Sequence, residues 1–268
     1  MSVWRIVLGF LMLSSLIASF GAQDREKDGA NKEEKQNATA QYFYKFPPNI
    51  QIVLKDSIVG VEVSSLSMWG GVRTTKVKSA TGFSVGNSLI ITSLHTFSDA
   101  PQTWFPSKIR ICDGQNFFNA KLVAVDPLVD LALILIVDEE RAKFSKKAVT
   151  FASSADKQNI PDHFFSFAFS TVGREIYFPM ELGRYLMETN LIGSEILPLP
   201  LGVVSGNVEE GFSGAPLIGP DGKIYGVLSR KSDAYVYVTT LEQIPIIIKE
   251  SKSELEKEAK EAAEKLQN

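Results

Sequence analysis

Cysteine, histidine and a surplus of either charge are what this 268-residue chain has least of. Cys112 is its one cysteine, so no intramolecular disulfide can close. Its place in the apolar, strand-like run Ile109-Arg110-Ile111-Cys112 marks it as a packing residue and not a nucleophile. The two histidines, His95 and His163, lie outside any H-E-x-x-H segment, and a zinc site would lack its usual ligand set. Neither a metal nor an organic cofactor is expected. Lys and Arg number 28 against 31 Asp and Glu, a net charge of −3, which provides no positive field for a phosphate backbone. Nucleic acid is therefore not an expected partner. What the chain does have is apolar material, 44% of its residues, enough to build a core of ordinary size.

Residues 1–22 read as an export signal. Arg5 is their single charge, the apolar run Ile6 to Phe20 is followed by Gly21 and Ala22, and cleavage after Gly21 would leave Ser19 and Gly21 as small residues around the cut. A bilayer span needs about 20 apolar residues, so this run is short for one; an uncleaved anchor is the alternative, and membrane contact is expected only in that case. The expected location is periplasmic or extracellular. Residues 23–41 are rich in Asp, Glu, Lys and Asn without apolar periodicity and read as a disordered tether. Residues 249–268 are mostly Lys and Glu, with Leu255, Ala259, Ala262 and Leu266 at helical spacing, and read as a narrow charged helix.

Between these ends, over 42–248, short apolar or alternating segments are punctuated by Gly, Asn, Asp and Pro. Strands are expected over Gly60–Met68, Ala80–Val85, Leu89–Ser93, Lys108–Cys112, Phe117–Val125 and Leu131–Val137, then over Phe164–Phe169, Glu175–Phe178, Ala215–Ile218, Lys223–Ser229 and Tyr235–Thr239. Asp113-Gly114 and Asp221-Gly222 read as hairpin turns. Parallel sheets need helical crossovers, and none are apparent, so the class is all-β and the architecture an antiparallel barrel or sandwich.

A hydrolase with a serine nucleophile needs a base, a group that orients the base, and donors aimed at the developing oxyanion. Ser213, in Gly211-Phe212-Ser213-Gly214-Ala215-Pro216 before an apolar strand, is the candidate nucleophile. His95, after the strand Leu89 to Ser93, is the candidate base, and Asp130, opening the strand Leu131 to Val137, the orienter. Gly211 lies where a backbone N–H can turn inward with no side chain in the way. Both histidines precede Ser213, which excludes the order Ser, Asp, His of the nucleophile-elbow hydrolases. Asp130, His163 and Ser213 would give the subtilisin order, but its α/β fold needs helices that this region lacks; His95, Asp130, Ser213 is the chymotrypsin order and fits an all-β chain.

These residues resemble the trypsin-like serine endopeptidases and, within them, the HtrA/Deg branch. Ala80-Thr81-Gly82-Phe83-Ser84-Val85 with Leu89 to His95 resembles the family's G-x-G-F…(I/V)-T-N-x-H block, with Ser93 for the asparagine. Asp113-Gly114 through Asp126-Pro127-Leu128-Val129-Asp130-Leu131-Ala132-Leu133 resembles its D-G…D-P-x-x-D-(L/I)-A-(L/V) block, whose second aspartate is the catalytic one, so the resemblance selects Asp130 over Asp126. Gly211 to Pro216 is similar to G-N-S-G-G-P, with Phe212 for asparagine and Ala215 for the second glycine, and Gly222 to Val227 resembles the strand that follows. Nothing after Lys249 resembles a PDZ domain.

The resemblance implies a double antiparallel β-barrel, a protease domain over 42–248, and an oxyanion hole made by the N–H groups of Gly211 and Ser213. It also implies that Ser229-Arg230-Lys231 pairs with substrate as an extra strand, with Ser229 near Asp130. Asn207 stands six positions before Ser213, where relatives that cut after basic residues carry an aspartate, and the resemblance places Tyr235 and Tyr237 on the pocket wall. Cleavage after small or medium apolar residues is the resulting expectation. N-terminal aromatics dock on neighbouring subunits in trimers of that family, so Tyr42, Phe43, Tyr44 and Phe46 have two readings: a homotrimer contact, or a cover for the chain's own barrel. Two function classes follow, an exported endopeptidase acting on protein or peptide substrates and a catalytically impaired trypsin-fold module that binds a protein partner.

Overall fold

A computed structural model of the chain describes residues 46–249, apart from 70–71, 98–104, 154–155, 171–174, 193–194 and 210. The expected signal and tether, Tyr42, Phe43 and Tyr44, and the tail from 250 onward lie outside the described residues.

The described chain opens with a helix the sequence reading missed, α1 (Pro48–Ser57). Pro48 sits in its first turn, where a missing N–H costs nothing, and Ile50 and Leu54, one turn apart, are fully buried. The Asn49 amide donates to the Pro220 carbonyl at 2.6 Å, which ties this helix to a turn in the other half of the fold. Phe46 packs edge-on against Phe165 and Phe167, with ring centroids 5.4 Å away in both cases, so this aromatic covers the chain's own second sheet.

Six antiparallel strands then close a barrel: β1 (Ile58–Trp69), β2 (Val72–Gly86), β3 (Leu89–Ser93), β4 (Phe105–Cys112), β5 (Phe117–Asp126) and β6 (Leu131–Ile136), in the order β1-β2-β3-β6-β5-β4. Alternation decides which side chains fill it, with Val59, Val61 and Val63 of β1 meeting Ile90, Ile111, Phe118, Ile134 and Ile136. β3 and β6 are buried along their whole lengths, as unbroken apolar runs such as Leu131-Ala132-Leu133-Ile134-Leu135-Ile136 permit. Asn87 and Ser88, both at positive φ, make the two-residue turn between β2 and β3. The expected turn at Asp113-Gly114 is present, with the Asp113 carboxylate accepting from the Gln115 and Asn116 N–H groups and Gly114 at φ +105.

Seven strands form the second half: β7 (Phe164–Ser170), β8 (Glu175–Leu182), β9 (Tyr185–Ile192), β10 (Glu195–Ser205), β11 (Pro216–Ile218), β12 (Ile224–Lys231) and β13 (Tyr235–Thr239), in the order β8-β7-β11-β12-β13-β10-β9. Their core gathers Phe164, Leu182, Val204, Phe212, Leu217, Leu228 and Val238. The fold is thus the double antiparallel barrel, with the second half an open sheet. β9 and β10 were not expected. Most β9 side chains are exposed, which removes alternation, and Pro198 and Pro200 interrupt β10 where its pairing with β9 shifts register between Ile196 and Leu201. The connection between the halves is stitched to both: the Val149 N–H donates to Ser84 of β2, and Ile224 of β12 exchanges backbone bonds with Thr150 and Ala152.

Candidate active site

The two halves meet where the chain leaves β3, enters β6 and approaches β11. After Ser93 a single 3-10 turn, Leu94–Thr96, lifts His95 out of the first barrel. Asp130 ends the turn before β6 at φ +59, a left-handed conformation that aspartate tolerates better than most residues. That twist lets Asp130 hold the turn three times, once at Leu94 and twice at His95: its carbonyl accepts from the Leu94 N–H at 3.0 Å, Oδ1 accepts from the His95 N–H at 2.8 Å, and Oδ2 accepts from His95 Nδ1 at 2.7 Å. Ser229 Oγ of β12 also donates to Oδ2, at 2.6 Å, across the junction between the barrels. With Nδ1 donating to a carboxylate, Nε2 carries the lone pair, and it lies 2.8 Å from Ser213 Oγ. The Asp130 side chain is 14% exposed and that of His95 44%, so the carboxylate is shielded while the imidazole stays open to the cleft.

Ser213 is held by both barrels. Its carbonyl accepts from the Thr81 N–H of β2 at 3.0 Å, and the following Gly214 N–H donates to Leu228 of β12 at 2.9 Å. Gly214, at φ +78, passes so close to β2 and β3 that a Cβ there would collide with the Thr92 hydroxyl, the Thr81 carbonyl and, at 2.6 Å, the Ser93 N–H. Gly211, at φ +95, begins the bend. Among the described residues, no backbone bond engages the Gly211 or Ser213 N–H, and such a pair of donors is what an oxyanion hole requires. Phe212, which replaces the asparagine of the similar motif, is 1% exposed and packed in the second core; Ala215 is fully buried.

Thr81 is a site residue that sequence reasoning passed over. Its hydroxyl donates to the Gly211 carbonyl at 2.8 Å and accepts from the Phe169 N–H of β7 at 2.8 Å, while its carbonyl accepts from Thr92 Oγ1 at 2.7 Å. Thr81 and Thr92 are both fully buried. The only signal was a hydroxyl in the middle of an inward-packed motif, which pattern reading cannot distinguish from ordinary strand propensity.

A cleft of about 590 Å³ opens beside Ser213, lined by 208–209 and 211–213 and by 228–231. Lys78, Arg230 and Lys231 bring cations to its lining and Glu209 an acid. Arg230 pairs with Glu195 of β10, and Lys231 Nζ donates to the Val208 carbonyl at 2.9 Å. Three residues that the sequence reading assigned to substrate binding, Asn207, Tyr235 and Tyr237, do not line this cleft; Asn207 and Tyr235 are exposed and Tyr237 half-buried. The strand alternation explains the two tyrosines, because it turns their neighbours Val236 and Val238 inward to the core instead. Among the described residues, no group of three His, Cys, Asp or Glu side chains is placed to hold a metal ion.

A sequence model of the trypsin-like peptidase domain matches residues 80–227, an interval that contains His95, Asp130 and Ser213. No curated protein matches the chain. Among solved structures, the active form of the Rv3671c protease from M. tuberculosis is 20% identical, with 75% of this chain and 82% of that one covered and a TM-score of 0.55. The inactive form of that protease is 18% identical over 76% and 92% of the two chains at a TM-score of 0.53, and an inactive serine-to-alanine mutant is 19% identical over 77% and 91% at 0.54. At such identities the likeness is one of fold.

Proposed function

The chain belongs to the trypsin-like peptidase family, and from that premise we propose that it is an exported serine endopeptidase working through an acyl-enzyme, with Ser213 as nucleophile, His95 as base and Asp130 as orienter. The observation that carries this reading is the unbroken hydrogen-bonded series from Asp130 Oδ2 through His95 to Ser213 Oγ, at 2.7 and 2.8 Å. In the proposed reaction, Oγ attacks the scissile carbonyl as Nε2 takes its proton. The Gly211 and Ser213 N–H groups hold the oxyanion, and the imidazolium returns the proton to the leaving amine. Water then attacks the acyl-serine ester as His95 takes its proton, and the imidazolium returns that proton to Ser213 Oγ as the ester bond breaks and the acid leaves. Asp130 keeps the imidazole in the tautomer that can do this, and Ser229 fixes the carboxylate in turn. The four motif blocks favour the HtrA/Deg branch, and the apolar run Ile6 to Phe20 favours export.

Labelling of the purified mature chain with a fluorophosphonate tests the reading. A covalent adduct on Ser213, together with cleavage of a denatured protein, is the expected result. Absence of both would leave the chain a trypsin-fold binding module.

A further inference from the structure

Lys231 lines the cleft at the end of β12, and its ammonium is bonded to another lining residue, Val208, 2.9 Å from the carbonyl. Beyond the backbone bonds of Leu228 with Gly214 and Ala215, the edge of residues 229–231 facing away from β13 has no strand partner among the described residues, so an extended substrate can lie along it. A substrate with its scissile carbon at Ser213 Oγ and its oxygen toward the Gly211 and Ser213 N–H groups would present that residue's side chain to the cleft that Lys231 also lines.

We propose that Lys231 selects a carboxylate at this position, glutamate or aspartate on the residue whose carbonyl is attacked; the proposal rests on the peptidase reading above. An ammonium carries three donors, and one is used by Val208. No carboxylate of the described residues pairs with Lys231, whereas Arg230 beside it is already matched by Glu195. Of the other charges on the cleft, Lys78 adds to the positive field, Glu209 is exposed at the rim, and His95 is engaged by Asp130. A substrate carboxylate would gain charge-assisted bonds from the two remaining donors without taking the ammonium from Val208. A lysine or arginine side chain would set a second cation beside Nζ. A large apolar one would have to displace it and leave the carbonyl of Val208, a residue only 5% exposed, without its donor.

Binding can be read without turnover. In the Ser213→Ala chain, two peptides that differ only in Glu or Gln before the cleavage position should bind with dissociation constants at least tenfold apart in favour of Glu, and adding Lys231→Gln should bring the ratio close to one. Equal binding, or a ratio that Lys231→Gln leaves unchanged, overturns the proposal. With the active chain, the kcat/KM ratio of the same pair should fall at least tenfold in Lys231→Gln, and Lys231→Glu should shift cleavage toward Lys-containing peptides. Cuts mainly after apolar residues by a chain whose Ser213 takes the fluorophosphonate overturn this inference alone. A chain that is not labelled, yet still binds the Glu peptide through Lys231, overturns hydrolysis and upholds the pocket.

Discussion

β3 and β6 of the first barrel bury every side chain, whereas β9 in the second half exposes most of its own, Leu186, Met187 and Leu191 among them. The first barrel closes on itself; the second remains an open sheet ending at β8 and β9. That contrast matches what each contributes to the site. His95 and Asp130 stand on the closed barrel, where three bonds from Asp130 to Leu94 and His95 fix the imidazole within one local cluster. Ser213 and the 229–231 edge stand on the open one, which leaves room beside Ser213 for another chain to lie. A closed barrel suits a part that must not move, and an open edge suits a part that must accept a strand.

The largest expected effect breaks the partnership outright. Ser213→Ala or His95→Ala should each lower kcat by about 10⁴-fold or more with the melting temperature nearly unchanged, because members of such a unit fail together. Peptide hydrolysis compared with calorimetry checks this, and comparable turnover in His95→Ala would remove the division of labour between the halves. Gly214→Ala attacks the junction instead. Its Cβ would meet the backbone of both β2 and β3, and the positive φ adds strain, so destabilisation of about 3–5 kcal/mol is expected in a denaturant titration.

A gentler change sharpens the comparison. Thr81→Ala removes one hydroxyl of the closed barrel and leaves the Gly211 carbonyl and the Phe169 N–H without that partner, so kcat should fall about 10- to 100-fold as the loop before Ser213 loses its anchor. Thr81→Ser should restore most of it, and KM should change less than kcat. The smallest effect concerns the stitching. The Lys223 ammonium, and then the Ser153 N–H and hydroxyl, hold the Asp156 carboxyl well below the usual carboxylate range. A depressed pKa adds stability that is present above the ordinary carboxylate value and is lost as pH falls through the lowered one. Melting temperatures followed from neutral pH down to strong acid should therefore decline less steeply in Asp156→Asn than in the parent chain.

How much could be read from the sequence follows the same contrast. The first-barrel strands were legible because Val59, Val61 and Val63 alternate inward and Leu131 to Ile136 form an unbroken apolar run; the expected strands fall within or nearly on β1 to β6. Chain order and the glycines flanking Ser213 pointed to the three side chains that the structure brings within 2.8 Å of one another in series. β9 and β10 were not legible, since exposure on both faces erases alternation and prolines at 198 and 200 imitate a loop. α1 was missed because Pro47-Pro48 reads as an extended arm until Ile50 and Leu54 are seen to share a face. Thr81, and the side-chain bond of Lys231, show a different limit. Their partners, Gly211 and Val208, lie 130 and 23 residues away, and a hydrogen bond across such a separation leaves no local pattern.

Sequence separation also sets a timetable for the site. Asp130 is 35 residues from His95, whereas Ser213 is 118 residues beyond it. Contacts between near neighbours in the chain close sooner than distant ones, so the pair on the first barrel can form while the segment carrying the serine is still being threaded or remains unfolded. Where Oγ meets Nε2, β2 holds the Ser213 carbonyl and β12 the Gly214 N–H. In this arrangement the three side chains come together only where both halves are folded, so a copy with one half unfolded lacks the assembled site.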